Sequence, residues 1–513
     1  MRRLLLALLG GAALTLAFPG HGLWWLAPVA VALLAGATVG AGAWTGVGLG
    51  LAFGLAFFVP TLSWSGSYLG VVPWAALAVL QSLFVAASGA GMAILQRQGV
   101  RPLAVGLLWV AQEALRDRFP YGGFPWVRLA FSQADGPLGR FAAVGGVPMV
   151  TFLVALAGGL IGNAAHAAYL ARRRTPAGWG SGRDPALRAL AGAGAVALIG
   201  LAVPLPTDGS PARVLAVQGN VPRPGLDFNA ERRAVLDNHV EVTVSAAERD
   251  RQAGLPAPDL VVWPENASDI DPIRNPDAGA AIARAATAAA APVVVGGLLE
   301  EPAPGVSNVS LLYLPGGTGP VQTYVKQHPV PFAEYIPHRS FYRLLSSQVD
   351  LLRTDFAAGP GPVLFRVRGA AGGEVVAGPS ICFEVAYDDL VRANVLDGAN
   401  LLLVQTNNAT FGFAHESVQQ LAISRIRAIE HGRSVVHVST VGVSALIRPD
   451  GTMIAPTTLF TPAALNASLP RRDGLTLATR LGAWPEYIGV LCLIGWLARH
   501  ATQRLRHRKE PNP

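Results

Sequence analysis

The sequence contains very few cysteines: Cys382 and Cys492 are the two among 513 residues. Two isolated cysteines match neither a CxxC pair nor a Cys/His zinc spacing, and they offer no disulfide framework. We therefore expect no metal and no cofactor, and Cys382 can be a free thiol even in an oxidising compartment. Cys492 lies in an apolar run near the C-terminus, where a small packing residue is the ordinary explanation.

Charged residues are also scarce. They make up 14% of the chain, against 51% hydrophobic residues, and the mean hydropathy is +0.39. A soluble globular domain carries about 25% charged residues, so this composition excludes a fully soluble protein. The net charge of +8 does not indicate a nucleic-acid partner, because the arginines cluster beside apolar segments, as membrane topology requires.

Eight apolar runs are candidates for membrane-crossing helices. They lie at about residues 4–18, 23–37, 43–62, 73–95, 102–115, 141–170, 187–204 and 481–498. The first run also fits a cleaved signal peptide, but another apolar run follows almost at once and no small-residue cleavage pattern is convincing. We predict a multi-pass membrane domain of about seven helices over residues 1–204. A C-terminal transmembrane helix with a basic cytoplasmic tail is predicted over residues 479–513.

Basic residues predict the orientation of these helices. With the N-terminus in the cytoplasm, even-numbered crossings return the chain to a set of arginines, namely Arg97, Arg101, Arg172, Arg173, Arg174, Arg183 and Arg188. Seven crossings then place residues 205–478 on the extracytoplasmic face of a bacterial inner membrane. The arginines of the loop at residues 116–140, which is expected outside, run against this assignment.

Residues 205–478 have a different pattern. Short β-branched runs alternate with Ala-rich or amphipathic helical stretches, such as Ala278–Ala291 and Glu416–His431. The runs are "RVLAVQGN", "DLVVWPE", "PVVVGGLL", "EVVAGPSICFE", "NLLLVQTNN" and "SVVHVST". Buried strands that alternate with helices predict an α/β domain with helices on the sheet faces.

Three polar residues follow or end predicted strands: Glu265, Lys326 and Cys382. Each alone has a structural explanation, as a capping carboxylate, a solvated lysine or a core thiol. Together they form a coherent nucleophile site, because a cysteine attacks as the thiolate, a buried carboxylate can take its proton, and an ammonium stabilises the oxyanion. A Cys/His pair is the competing arrangement, and its candidate bases are His415, His431 and His437.

The motifs around these residues are similar to those of a known family. "VVWPENAS", "YVKQHPVPFAEYIP" and "GPSICFEVAYDDL" resemble, in that order, the Glu, Lys and Cys motifs of the nitrilase (carbon–nitrogen hydrolase) superfamily. "YGGFPWVRLAFSQADGPLGRFAAVGGVPMVTFLVAL" resembles the membrane-domain signature of the apolipoprotein N-acyltransferase family within it. The resemblance covers nearly the whole chain and implies a nitrilase-like αββα sandwich beside the polytopic helical domain.

Carried over residue by residue, the resemblance implies that Cys382 is the acylated nucleophile, Glu265 the general base and Lys326 the oxyanion stabiliser. Glu334 and Glu384 match two further glutamates of the family, either functional or serving as hydrogen-bond anchors. The implied reaction is ping-pong. A phospholipid acylates the cysteine as a thioester, and the α-amino group of an S-diacylglyceryl apolipoprotein then takes the acyl chain. We expect a membrane-integral monomer without a nucleic-acid partner.

The sequence departs from the family pattern at three places. Phe383 follows the nucleophile where many members have tyrosine, "RPGLDFNA" lacks a tryptophan, and "NNATFG" replaces a commoner Asn-Asp-Ala-Trp-Phe-Gly. These departures bear on substrate positioning more than on chemistry. The apolar segment Ser340–Phe356 is either a lid that dips toward lipid or an amphipathic surface helix.

Two other functions remain open. A membrane-anchored nitrilase-type amidase would resolve the acyl-enzyme with water, but one anchoring helix would suffice for it. A transporter or lipid-binding protein needs a charged site deep in the helices. Glu113, near a predicted helix end, is the one candidate for such a site in the sequence.

Overall fold

The computed structural model describes residues 1–67, 70–174, 185–221, 231–369 and 372–509. Arg183 and the whole "RPGLDFNA" segment therefore lie outside the described residues. The chain divides into two compact units. The first combines Met1–Pro204 with Arg480–Pro513, and the second is Leu205–Thr479.

The first unit is helical. Its helices are α1 (Arg2–Ala17), α2 (Leu26–Thr38), α3 (Ala43–Thr61), α4 (Val71–Leu95), α5 (Pro102–Arg116), α6 (Ala142–Arg174), α7 (Pro185–Ala202) and, from the chain end, α14 (Trp484–Lys509). Each apolar run of the sequence coincides with one of them. Within the described residues, three helical stretches are long and apolar enough to cross a membrane, at Ala43–Thr61, Val71–Leu95 and Pro137–Ala171.

Small residues let α3 and α4 approach closely. A Cβ atom at Gly46 would lie 2.4 Å from the Gly89 carbonyl oxygen, and one at Gly50 would lie 2.4 Å from the Val85 carbonyl oxygen. In lipid, apolar side chains gain little by associating, so close backbone packing at small residues is a main source of helix–helix affinity. Gly46, Gly50 and Gly54 therefore serve this contact, whereas a Cβ atom at Gly48 would meet no atom within 4 Å.

A buried ionic cluster closes the C-terminal end of α5. The Arg128 Nε lies 3.0 Å from Asp117 Oδ2 and 3.5 Å from Glu113 Oε2. Glu113 also accepts hydrogen bonds from the Leu129 backbone N–H and the Thr151 hydroxyl, both at 2.8 Å. The sequence indicated Glu113, near a helix end, as the one candidate for a charged site in the helices; its contacts anchor the loop after α5 to α6.

The described residues of the second unit form two six-stranded sheets. Its strands are β1 (Ser210–Gln218), β2 (Leu260–Val262), β3 (Val293–Leu299), β4 (Ser307–Tyr313), β5 (Pro320–Val325), β6 (Phe365–Arg368), β7 (Glu374–Ile381), β8 (Leu401–Thr406), β9 (Ser434–Ser439), β10 (Ala445–Ile447), β11 (Met453–Ile454) and β12 (Ala463–Arg471). The strand orders are β12-β1-β2-β3-β4-β5 and β11-β10-β9-β8-β7-β6. Three consecutive strands of each sheet are parallel, β1 to β3 in the first and β7 to β9 in the second, and the other pairings are antiparallel.

Helices cover the outer faces of both sheets. The helices of this unit are α8 (Arg232–Gln252), α9 (Pro276–Ala289), α10 (Arg339–Leu345), α11 (Asp388–Leu396), α12 (Glu416–His431) and α13 (Leu477–Leu481). One core lies between the first sheet and α8 and α9, and a second lies between the two sheets. With α11 and α12 on the second sheet, the layers are αββα. The predicted fold class is confirmed, and α12 has the predicted bounds.

Candidate active site

Glu265 lies three residues beyond the end of β2 and is almost completely buried. Its Oε1 accepts a hydrogen bond from the Asn308 side-chain amide at 2.7 Å, and its Oε2 accepts one from the Asn407 backbone N–H at 2.9 Å. The Thr440 hydroxyl donates to its backbone carbonyl at 2.7 Å. These contacts come from β4 of the first sheet and from chain after β8 and β9 of the second, so the carboxylate is fixed between the two sheets.

Lys326 directly follows β5, and its side chain is 2% exposed. Its Nζ lies 2.8 Å from Glu334 Oε1 and 3.4 Å from Glu265 Oε1. Glu334 is itself held by the Val330 backbone N–H, which donates to Oε2 at 2.7 Å. A lysine buried this deeply keeps its charge only beside carboxylates, and here two of them face it.

Cys382 begins a single 3₁₀ turn, Cys382–Ala386, at the end of β7. Its φ of +53° lies in the left-handed region, which costs a residue with a Cβ about 1–3 kcal/mol. Such a conformation persists when its surroundings over-determine it, and the sharp turn directs the thiol away from the strand. The side chain is partly exposed, as a thiol that meets a substrate needs to be.

Glu384 holds the cysteine turn against the lysine strand. Its completely buried carboxylate accepts hydrogen bonds from the Ile381 and Gln327 backbone N–H groups, both at 2.7 Å, and from the Tyr324 hydroxyl at 2.9 Å. These donors flank Cys382 on one side and Lys326 on the other. Of the two explanations for Glu384, its contacts are those of a hydrogen-bond anchor that ties the turn at Cys382 to the chain beside Lys326.

Burial dominates the electrostatics of the site. It raises the pKa of Glu265, and the charge of Lys326 pulls that pKa down in part. Burial also raises the pKa of the Cys382 thiol, and the charge of Glu265 raises it further. For Lys326, burial lowers the pKa, but Glu334 and Glu265 outweigh it and leave the pKa above its ordinary value. The resting site therefore combines a protonated thiol with a cationic lysine.

Two neutral side chains contact the sulfur, one from β8 of the second sheet and one from α12. The Thr406 hydroxyl and the Gln420 side-chain amide each lie 3.6 Å from Cys382 Sγ. The proposed histidine bases are directed elsewhere. His431 Nδ1 bonds the Thr479 hydroxyl, His437 Nδ1 bonds the Ser424 hydroxyl, and His415 is exposed just before α12. The Cys/His alternative is therefore not supported by the geometry.

Sequence reasoning missed several polar residues of the site. Asn308 bridges Glu265 and Glu334, donating to them at 2.7 and 3.1 Å. Asn407 lies in "NNATFG", which was noted only as a departure from a family pattern. A signal for Asn308 does exist: it is an amide in "SNVSLLY", a strand in which every residue is buried. Buried amides of this kind need partners, so they indicate a polar site.

Comparisons with known proteins agree with this architecture. Residues 10–160 match the profile of the apolipoprotein N-acyltransferase N-terminal domain, and residues 213–473 match that of the carbon–nitrogen hydrolases. An apolipoprotein N-acyltransferase of Mycolicibacterium smegmatis is 40% identical over 97% of this chain and 86% of its own length. One of Azotobacter vinelandii is 34% identical over 80% of this chain and 75% of its own length.

Among solved structures, a variant of a nitrilase-superfamily amidase from Nesterenkonia aligns with 54% of this chain and 95% of its own, at 17% identity and a TM-score of 0.38. The sequence relatives match across both units, the membrane helices as well as the αββα sandwich. The chain belongs to the apolipoprotein N-acyltransferase family of the nitrilase superfamily.

Proposed function

We propose that the protein transfers an acyl chain from a membrane phospholipid to the N-terminal S-diacylglyceryl cysteine of apolipoproteins, through a thioester on Cys382. The observation that carries the proposal is the cluster in which Lys326 lies 2.8 Å from Glu334 and 3.4 Å from Glu265, beside the Cys382 thiol. The helical unit of the same chain supports a lipid substrate. Each methylene buried in a bilayer contributes about 0.8 kcal/mol, so acyl donors are most accessible to an enzyme at the membrane.

In the first half-reaction, Glu265 takes the thiol proton while the sulfur attacks the ester carbonyl of the phospholipid. Lys326 stabilises the negative charge that develops on the carbonyl oxygen. The C–O bond then breaks, and Glu265 returns the proton to the lysophospholipid that leaves. Because burial raises the pKa of Glu265, this carboxylate is suited both to take a proton and to give it back.

In the second half-reaction, the α-amino group of the apolipoprotein attacks the thioester carbon. Glu265 removes the amine proton, the C–S bond breaks, and the proton returns to the sulfur. Glu334 keeps Lys326 charged and in place throughout, and Glu384 holds the cysteine turn. Both supporting glutamates therefore act on the reactive groups rather than on the substrate.

Intact-mass analysis of the purified full-length protein, incubated with phospholipid, tests this function. A fatty-acyl mass increment is expected on the parental protein and on Cys492→Ala, and is expected to be absent from Cys382→Ala. A diacylglyceryl peptide should then take the increment onto its amine. Release as free fatty acid alone would instead favour the amidase-type hydrolase, and no increment on the parental protein would refute the nucleophile assignment.

We further propose that seven crossings precede the αββα unit and place it outside the cytoplasm, and that the protein acts as a monomer. The arginines that opposed this orientation are partly accounted for: Arg116 and Arg128 are buried in contacts within the helical unit. In a background that carries both Cys382→Ala and Cys492→Ser, a membrane-impermeant maleimide should label Glu374→Cys on intact spheroplasts. It should label Gln503→Cys only after permeabilisation, and the opposite pattern would reverse the orientation.

The exposure of apolar side chains in Ser340–Phe356 favours a lid over an amphipathic helix packed on the surface. Its Phe341, Leu344 and Leu351 side chains are more than half exposed. Exposed large apolar side chains on a short helix and its following turn are typical of surfaces that meet lipid or an acyl chain.

A further inference from the structure

The Cys382 sulfur has neutral neighbours as well as the ionic side chains of Glu265 and Lys326. Thr406 ends β8 and Gln420 lies in the second turn of α12, and both side chains are completely buried. Each places a hydrogen-bond donor 3.6 Å from the sulfur. The proposed proton transfer and oxyanion stabilisation use neither residue.

The orientation of the Gln420 amide is fixed from behind. Its carbonyl oxygen accepts hydrogen bonds from the Thr406 hydroxyl at 2.7 Å and from the Asn408 side-chain amide at 3.1 Å. An amide oxygen only accepts and an amide nitrogen only donates. Because two donors occupy the oxygen, the N–H side of Gln420 faces the sulfur.

Asn408 is held in turn by two further groups. Its Nδ2 donates to Glu416 Oε2 at 2.6 Å, and its Oδ1 accepts from the Ser439 hydroxyl at 2.6 Å. Gly442 completes the enclosure, because a Cβ atom there would lie 2.0 Å from Asn408 Oδ1. Burying the Glu416 carboxyl group beside an amide costs free energy. A contact that destabilises the fold in this way is expected to serve the site.

We propose that Gln420 and Thr406 are the donors that stabilise the anionic sulfur of Cys382, and that Asn408 and Glu416 are positioning residues that aim the Gln420 N–H at it. This inference rests on the proposed function, because it concerns the same nucleophile. Under this inference, β8 and α12 supply the donors for the anionic sulfur, whereas Glu265 transfers the proton and Lys326 stabilises the oxyanion.

The two donors act in both half-reactions. When Glu265 takes the thiol proton, the sulfur accepts hydrogen bonds from the Gln420 N–H and from the Thr406 hydroxyl, which turns away from the Gln420 oxygen while Asn408 still holds it. As the S–C bond forms, the charge passes to the carbonyl oxygen. When the amine later breaks that bond, the electron pair returns to sulfur, and the same donors receive the leaving thiolate.

The pH dependence of Cys382 alkylation by iodoacetamide tests the inference, on the full chain in a Cys492→Ser background. A hydrogen bond to a charged group is worth enough that Gln420→Leu should slow alkylation at neutral pH about ten- to hundredfold. The midpoint of the pH profile should rise by about one unit or more, since one pKa unit corresponds to a tenfold change. An unchanged rate and midpoint would overturn the proposal.

Matched pairs separate stabilisation of the thiolate from a merely structural role. Thr406→Ser keeps the hydroxyl and should retain the parental profile, whereas Thr406→Val should shift it upward. Glu416→Gln keeps an acceptor oxygen for Asn408 and should stay near the parental rate, whereas Glu416→Leu should resemble Gln420→Leu. If the two members of either pair behave alike, the role assigned to that residue is wrong.

Folding and the proposed function are controlled in the same samples. Thermal unfolding identifies any variant that is not folded, and the Thr406 pair carries the test if Gln420→Leu does not fold. A parental protein that gains no acyl increment from phospholipid refutes the proposed function. A parental protein that is acylated, beside a folded Gln420→Leu with an unshifted alkylation profile, refutes this inference alone.

Discussion

Each unit of the protein buries a cluster of opposite charges, and the two clusters differ in their cation. In the helical unit, the Arg128 guanidinium lies against Asp117 and Glu113 at the end of α5. In the α/β unit, the Lys326 ammonium lies between Glu265 and Glu334. Guanidinium is a planar fork that binds several acceptors at once, whereas ammonium is a compact point charge.

The difference shows that a buried ion pair does not by itself indicate a catalytic site. The Glu113 carboxylate is also saturated by the Leu129 N–H, the Thr151 hydroxyl and the Trp109 indole N–H, so the cluster fastens loops to helices. The Lys326 cluster adjoins a partly exposed thiol instead. A partly exposed thiol beside the cation is what distinguishes the second cluster.

Removing the lysine charge should have the largest effect on chemistry. Lys326→Met is expected to slow acylation of Cys382 about 10²–10³-fold, as loss of a preorganised oxyanion stabiliser does in other enzymes. The measurement is the rate of the fatty-acyl mass increment with phospholipid. Arg366→Met, which breaks the exposed pair with Glu374, is the matched control and should retain the parental rate. Parental acylation by folded Lys326→Met would remove the lysine from the mechanism.

Removing the arginine charge should instead act on stability. Arg128→Met leaves Glu113 and Asp117 buried without this cation and is expected to destabilise the helical unit by about 3–5 kcal/mol. Thermal unfolding of the full chain in detergent measures the loss. The same control, Arg366→Met, should change stability by about 1 kcal/mol or less, because its pair is exposed to solvent. Equal melting temperatures for the two variants would show that the buried cluster is not structural.

The structure also shows which features of the fold and of the site local sequence patterns predict. The six β-branched runs and α12 were predicted correctly in type and place, because β-branched runs and helical spacing are local signals. The catalytic roles of Glu265, Lys326 and Cys382 stay predictions, but their positions near strand ends were predicted from the sequence. The partners of those residues were not. Asn407 meets Glu265 across 142 positions of chain, and Gln420 lies on a helix whose polar residues look like a solvated face. Such contacts depend on how two sheets pack, which local patterns do not encode.

A smaller effect on stability is expected at Glu416, a buried carboxyl group that can bind a proton and lies outside the two ionic clusters. Burial raises the pKa of Glu416 to about 8, and its hydrogen-bond donor is the Asn408 amide rather than a cation. Between the unfolded pKa, near 4.5, and 8 the folded state binds more protons at this residue than the unfolded state does. Stability therefore falls as pH rises through this window, by at most about 1.4 kcal/mol per pH unit for one proton.

Glu416→Gln cannot titrate, so its melting temperature should fall less than that of the parental protein between pH 5 and 8. Other buried carboxyl groups with raised pKa values, including Asp269, remain in both proteins and supply the residual slope. Thermal scans of both proteins in the same buffers give the comparison. Identical slopes would mean that Glu416 is ionised over the whole range.

The smallest effect is expected beside the nucleophile, at a residue that belongs to neither ionic cluster. Phe383 packs edge-on against Tyr387, with ring centroids 5.5 Å apart, and Tyr387 stacks on His328. Phe383→Tyr adds a hydroxyl at a site that is 7% exposed, where an unpaired hydroxyl costs about 1–3 kcal/mol and a paired one much less. Because the chemistry proposed here uses no hydroxyl at this position, acylation of Cys382 should change less than tenfold. Phe383→Leu is the matched control for lost ring packing, and a gain of more than tenfold in Phe383→Tyr alone would show that the hydroxyl takes part in catalysis.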